Sequence, residues 1–316
     1  MAKYFLLPKR LADRIGWVQT PAWLIEAGFF YLLLGLSRLL PYRIVASAFA
    51  ALIGGFGYRN VKKRRVVRRN VAVILPQASE SAREAVVRQI FRATGLAAAE
   101  LFLLGRLWRR RARFLEFSVH PEAQAAIARK DAIVFVTAHV GAWQLCNLIG
   151  REAGLTISVL YAAEPNPWMR RFFLGRRRAF GGPLVPSKGG VRAFLHELAA
   201  GRSVGAAFDT RVDQGEMVPL FGVATPTSTL PAMLAMRGHP LIPIRARRLP
   251  DCRFRIEVLA PLLPADPQAP REAQILDLTT QMNQVFESWI GEDPGQWICL
   301  KRRWPKAAAS PQTPDV

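Results

Sequence analysis

Short apolar runs alternate with amphipathic stretches over most of the chain. Residues 133–137 (IVFVT) form a continuous β-branched run, which is typical of a strand buried on both faces. Similar runs lie at 157–161, 204–208 and 241–246, whereas residues 254–258 alternate as a half-exposed strand does. Strands that alternate with helices predict an α/β fold, with a central, mostly parallel sheet flanked by helices. The predicted helices between these strands lie at residues 191–200, 229–237 and 275–289.

The pattern differs at the N-terminus, where residues 22–40 are almost entirely apolar between Pro21 and Pro41. A helix of this length is about 28 Å long, close to the thickness of a bilayer's hydrocarbon core. Because basic residues flank it on both sides, the positive-inside bias favours a shallow or re-entrant helix on the cytoplasmic leaflet of a membrane over a single span. A spanning helix and the core helix of a soluble protein remain open. The flanking basic residues are Lys3, Lys9, Arg10 and Arg14 before it, and Arg43, Arg59 and residues 62–65 after it.

Positive charge is concentrated in the same region. The chain has 44 Lys and Arg against 23 Asp and Glu, and residues 1–113 alone hold 21 basic and 5 acidic residues. This excess predicts an anionic membrane surface, a phosphorylated lipid or an acidic protein as partner. We expect no nucleic acid, since no docking element is recognisable. We therefore divide the chain into a membrane-associating helical and basic segment (1–69), an α/β domain (70–306) and a disordered tail (307–316).

Composition limits the chemistry further. With 51% hydrophobic and 21% charged residues, the chain is neither disordered nor a disulfide miniprotein. Its three cysteines show no metal-binding spacing, and no nucleotide-binding loop is present, so we expect neither metal nor cofactor.

One candidate catalytic residue is His139, which follows the strand at 133–137 and precedes Gly141. This position at the carboxyl end of a strand presents an imidazole to a cleft, although a purely structural histidine fits there equally well.

Several motifs, in the same order and spacing, resemble the bacterial lipid A acyltransferases that add secondary lauroyl or myristoyl chains, within the glycerolipid acyltransferase superfamily. His139, Gly141 and Trp143 match the H-x-G-x-W-E signature of that family. Further similar segments are residues 161–167 with later arginines, 208–215, 218–222 and 286–304. The resemblance implies transfer of a fatty acyl chain from acyl carrier protein to a hydroxyl of a phosphorylated lipid. It also implies that His139 is the general base that takes the hydroxyl proton.

The resemblance also suggests substrate-binding residues. We expect Arg176, Arg177 and Arg178 to supply at least one phosphate ligand. The other candidates are Trp143, Glu164, Asn166 and Phe221. The acceptor is not fixed by sequence: a lysophospholipid, an aminolipid or a glycolipid is the alternative to a lipid A precursor.

The chain departs from the family at one position. Gln144 stands where the signature has a carboxylate that orients the imidazole and stabilises the imidazolium. Three outcomes remain open. Another carboxylate replaces it, with Asp209 the first choice and Glu164 the second; Gln144 serves in a slow enzyme; or the protein is a non-catalytic lipid-binding homologue.

Overall fold

The computed structural model describes residues 19–186 and 190–305. Within these residues, five helices precede the first strand, and strands and helices then follow in mixed order. The helices are α1 Gln19–Leu39, α2 Tyr42–Arg59, α3 Val61–Ile74, α4 Glu80–Arg109, α5 Arg111–Phe114, α6 Pro121–Ala128, α7 Ile149–Glu152, α8 Pro167–Arg177, α9 Gly190–Ala199, α10 Leu230–Ala235 and α11 Arg271–Glu292. The strands are β1 Leu115–Val119, β2 Val134–Thr137, β3 Ile157–Tyr161, β4 Leu184–Pro186, β5 Ser203–Ala207, β6 Glu216–Leu220, β7 Val223–Thr227, β8 Leu241–Arg248 and β9 Phe254–Val258.

Seven strands form one mostly parallel sheet in the order β1-β9-β8-β2-β5-β3-β4. The exception is the antiparallel pair β8–β9, while β6 and β7 form a separate hairpin. Strand β2 lies in the middle, parallel to both β5 and β8, and its four residues are buried as its apolar run predicts. The predicted α/β fold is confirmed, and its central strands end at one common edge.

Helices α2 and α4 pack closely because glycines face each other's backbone. A Cβ on Gly95 would lie 2.3 Å from the Phe49 carbonyl oxygen, and one on Gly54 would lie 2.9 Å from the Phe91 carbonyl oxygen. Both distances are shorter than any ordinary contact, so side chains at these positions would separate the helices. The apolar segment that follows Pro41 is therefore part of the folded body.

Helix α3 is joined to the C-terminal segment by hydrogen bonds. The Asn70 amide donates hydrogen bonds to the carbonyl oxygens of Cys299 (3.0 Å) and Lys301 (2.8 Å). The expected domain boundary at 69/70 thus lies inside α3, in a helix that holds the C-terminal segment. The basic residues before position 19 and the tail at 307–316 lie outside the described residues.

Helix α1 has one packed and one exposed side. Its packed side meets α4 and α8 through aromatic contacts, such as Phe30 with Phe102 and Phe172. By length and composition α1 is long and apolar enough to cross a membrane, and α2 with α3, bent by 94°, passes the same test only as a pair. The exposed apolar residues along α1 and just after it are Leu24, Ile25, Phe29, Tyr31, Leu32, Leu36, Leu39 and Leu40.

Candidate active site

The backbone around His139 is shaped by a sharp turn after β2. Gly141 adopts φ +60°, and a Cβ there would lie 2.5 Å from the Ala246 carbonyl oxygen, so only glycine fits without strain. The next residue, Ala142, donates its backbone N–H to that same oxygen at 2.9 Å. The turn therefore fixes His139 against the carboxyl end of β8.

The C-terminal segment closes the other side of this turn. Ile298 donates its N–H to the His139 carbonyl oxygen at 2.8 Å, and Gly141 donates to the Gln296 carbonyl oxygen at 3.2 Å. Arg248, held by buried Glu100 at 2.7 Å, also hydrogen-bonds the Gln296 side chain. Residues far apart in the sequence thus hold the histidine backbone in place.

Asp209 lies directly against the imidazole. It follows β5, which is the parallel neighbour of β2, so both residues stand where adjacent strands end. The distance from His139 Nδ1 to Asp209 Oδ1 is 2.7 Å, and Trp297 Nε1 donates to Asp209 Oδ2 at 2.9 Å. Since an ionised carboxylate only accepts hydrogen bonds, Nδ1 donates to Asp209, and in the neutral ring Nε2 then keeps its lone pair.

Burial and charge shift the pKa values of both partners. The Asp209 side chain is 3% exposed and that of His139 is 27% exposed, so the ring remains reachable from solvent. Burial disfavours imidazolium, but the charge and hydrogen bond of Asp209 outweigh it and raise the pKa of His139 above its ordinary 6.5. Burial likewise disfavours the carboxylate, yet His139 and Trp297 lower the pKa of Asp209. The pair is thus a carboxylate that stabilises a protonated ring.

Gln144 does not reach this pair. It lies in a 3₁₀ helix, Trp143–Leu148, and its Nε2 donates to the Ala97 carbonyl oxygen of α4 at 3.1 Å. Trp143, by contrast, packs edge-on against the His139 ring at a centroid distance of 4.6 Å. The sequence position five residues after the histidine therefore serves packing against α4.

Glu164, the second-choice carboxylate, has a different partner. It is buried, with Oε1 3.4 Å from Arg177 Nη1, and burial raises its pKa against the opposing charge of Arg177. Asn166 caps α8 by accepting from the N–H groups of Trp168 and Met169, and its Nδ2 donates to the Trp23 carbonyl oxygen of α1. These contacts give both residues a structural role in holding α8.

The three consecutive arginines at the end of α8 have different surroundings. Arg177 pairs with Glu164, Arg178 is exposed, and Arg176 lines a pocket with Arg38 and Arg109. Phe221, at φ +52°, forms the turn between β6 and β7, and its N–H donates to Glu287. The structure therefore brings Asp209 and Trp143 to the His139 ring, and it brings Trp297 to Asp209. Trp297 lies within the segment 286–304 that resembles the family, but nothing in its spacing predicted a contact with a residue 88 positions away.

A cysteine nucleophile has no support at this site. Cys146 is buried behind Trp143, and burial raises its pKa to about 12. A small apolar pocket of about 30 Å³ lies here, on the faces of β2, β5 and β3. Its lining includes Trp143, Phe135, Cys146, Gly205 and Ile244. Trp143, which contacts the His139 ring, therefore also forms part of the wall of this pocket.

The comparisons with known proteins agree on one family. The family model of bacterial lipid A biosynthesis acyltransferases matches residues 18–306. A lipid A biosynthesis acyltransferase of Haemophilus influenzae is 24% identical, with 92% of this chain and 93% of the relative covered. A lipid A biosynthesis lauroyltransferase of Escherichia coli is 29% identical (84% and 86% covered), and a myristoyltransferase of that organism is 26% identical (81% and 80%). The chain belongs to the bacterial lipid A biosynthesis acyltransferase family, whose members transfer acyl groups.

Proposed function

We propose that the protein transfers a fatty acyl chain from acyl carrier protein to a hydroxyl of a phosphorylated lipid A precursor, with His139 as general base. The contact between His139 and Asp209 carries this proposal. Nε2 takes the hydroxyl proton as the lipid oxygen attacks the thioester carbonyl carbon. The carbon–sulfur bond then breaks, the ester remains on the lipid, and the imidazolium returns its proton to the thiolate of the carrier.

Asp209 performs the task that the family signature assigns to the residue at position 144. Its Oδ1 holds the proton on Nδ1, and its charge stabilises imidazolium while the acyl group changes carriers. Trp297 holds the other carboxylate oxygen, which keeps Asp209 ionised and oriented. The absence of a carboxylate at position 144 therefore does not favour the non-catalytic alternative.

Membrane association follows from the exposed face of α1. That face is apolar, and α3 carries exposed Lys62, Lys63 and Arg65. Apolar burial combined with basic side chains suits an anionic leaflet. We place the protein on the cytoplasmic face of the inner membrane, with residues 1–69 as the membrane-associating part and 70–306 as the acyltransferase part. The basic surface also favours encounter with an acidic carrier protein.

The test is an acyl-transfer assay with acyl carrier protein loaded with several chain lengths. Acceptors are a lipid A precursor and a lysophospholipid. Wild type should acylate the lipid A precursor, and His139→Ala should abolish turnover. His196→Ala is the matched control, because its ring is 76% exposed and lies on the surface of α9.

Two results would contradict the proposal. If His139→Ala turned over at the wild-type rate, His139 would not be the general base. Transfer by wild type to lysophospholipid alone would change the acceptor class. Circular dichroism of both variants separates loss of chemistry from loss of fold.

A further inference from the structure

Five arginines surround one pocket where α1, α4 and α8 end. Arg106 and Arg109 are three positions apart in the last turn of α4 and so share one helix face, and Arg110 is the residue that follows this helix. Arg38 from the last turn of α1 and Arg176 from the last turn of α8 complete the ring. The pocket encloses about 430 Å³, and its remaining lining is Phe102, Leu103 and Gly105.

No carboxylate among the described residues lines this arginine pocket. Two adjoining pockets along α4 differ, since one includes Glu152 and the other Asp251. Arg106 donates to the Leu40 carbonyl oxygen at 2.6 Å, which leaves its positive charge unpaired. The arginine pocket thus gathers like charges without a counter-ion from the described chain.

Arg176 shows the consequence most clearly. Its Nε is buried and has no hydrogen-bond partner within the part of the chain that the structure describes. Burial lowers its pKa, and the charges of Arg38 and Arg109 lower it further. A buried guanidinium nitrogen without an acceptor is costly, so an external anion would relieve both the repulsion and the missing bond.

The chemistry of the pocket selects the anion. Guanidinium groups bind phosphate through paired, parallel hydrogen bonds, which makes phosphate the best match for several arginines. The volume lies in the range of pockets for small organic ligands, which is larger than a bare phosphate requires. One wall is apolar, and Leu36 and Leu39, exposed at 50% and 81%, adjoin Arg38 along α1. Apolar surface beside a phosphate site favours a lipid headgroup over a free ion.

The pocket is separate from the catalytic pair. Helix α8 connects the parallel strands β3 and β4, so it runs back from the carboxyl ends of the strands toward their amino ends. Arg176, in its last turn, therefore lies toward the edge of the sheet opposite His139. The imidazole contacts Asp209 and Trp143, and none of these three residues lines the arginine pocket.

We propose that the arginine pocket binds the phosphate group of a lipid headgroup and thereby anchors the enzyme at a phosphorylated lipid. The choice of a phosphorylated lipid as the ligand rests on the proposed function. A binding measurement tests the arginine pocket without turnover, so this proposal and the proposed function can fail separately.

The experiment measures binding of the full chain to vesicles of phosphatidylcholine containing either phosphatidic acid or phosphatidylserine at equal surface charge. Wild type should prefer phosphatidic acid, because only its phosphomonoester fits between the guanidinium groups. Arg38→Gln with Arg109→Gln should weaken binding to phosphatidic acid about tenfold and abolish the preference. Both residues are exposed, so the fold should be retained.

A matched control removes two charges elsewhere. Arg237→Gln with Arg271→Gln changes exposed residues outside the basic N-terminal half, and it should leave the preference for phosphatidic acid intact. A preference that survives in the Arg38 and Arg109 variant would overturn the proposal. The proposal would also be overturned if wild type bound inorganic phosphate as tightly as phosphatidic acid and lost that affinity in the Arg38 and Arg109 variant. The pocket would then be a site for free phosphate.

A third result would also overturn it. If the Arg38 and Arg109 variant keeps its lipid preference but binds acyl carrier protein more weakly, the pocket serves an acidic protein. Conversely, an intact preference in wild type without any acyl transfer would refute the proposed function and leave this inference standing.

Discussion

Replacing Asp209 by asparagine tests the catalytic pair directly. The asparagine side chain would fill nearly the same volume as the carboxylate that lies 2.7 Å from Nδ1, but it would carry no charge to stabilise imidazolium. The analogous change in serine proteases lowers kcat about 10⁴-fold, which corresponds to about 5 kcal/mol of transition-state stabilisation. We therefore expect Asp209→Asn to lower kcat by about 10³- to 10⁴-fold in the acyl-transfer assay.

The pH profile supplies a second measurement with a definite sign. A general base must be neutral in the resting enzyme, so activity rises as pH increases through the pKa of His139. Asp209 raises that pKa above 6.5, whereas burial alone lowers it. The acidic limb of the wild-type profile should therefore lie above pH 6.5, and in Asp209→Asn it should move to lower pH.

The matched control for this variant lies four residues away. Asp213 is 80% exposed and pairs with Arg211 at 2.5 Å, so Asp213→Asn removes a carboxylate from the same loop without touching the ring. It should leave both kcat and the acidic limb unchanged. An Asp209→Asn enzyme with kcat close to that of wild type, or with an unmoved acidic limb, would refute the assigned role.

Three further variants test the surrounding structure. Trp297→Phe removes one hydrogen bond to the carboxylate and should lower kcat by about 10- to 150-fold, since such a bond contributes about 1.5 to 3 kcal/mol. Gly141→Ala should lower Tm and activity together because its Cβ meets the Ala246 carbonyl, whereas Gly154→Ala, at φ +68° in open space, should lower Tm far less. Gln144→Glu replaces a buried donor to a helix carbonyl with an acceptor, so stability should fall by about 1 to 3 kcal/mol without any gain in kcat. A faster Gln144→Glu enzyme would show that this side chain can reach the ring.

The sequence predicted the central strands because their periodicity is unambiguous. The run at 133–137 contains β2, and residues 254–258 form β9 as expected. The pattern did not predict β1, although it is a regular strand of five residues. The other strands that it did not predict are short or irregular: β4 has three residues, and the β6–β7 hairpin contains Pro219 and Pro226. Such strands depend on their neighbours for pairing, so their local sequence carries little signal.

The sequence predicted only those residues of the candidate site that directly follow a predicted strand. His139 and Asp209 each follow an apolar run, and parallel neighbouring strands bring their ends together. Glu164 follows β3 in the same way, but Arg177, thirteen residues later on α8, holds it instead. The choice between these two carboxylates depends on the order of strands, in which β5 and not β3 adjoins β2, and sequence does not contain that order.

The position of Gln144 explains why a departure from the signature need not remove the chemistry. After Gly141 the chain turns into a 3₁₀ helix, and this turn directs the side chain at 144 toward the Ala97 carbonyl of α4. In this backbone the group that reaches Nδ1 comes from the neighbouring strand and not from the local motif. Because Asp209 is fixed by β5 and by Trp297, the geometry of the pair does not depend on the residue at 144. We therefore propose Asp209, at the end of β5, as the catalytic carboxylate of this chain, and its loss, rather than that of a carboxylate at position 144, should mark a non-catalytic relative.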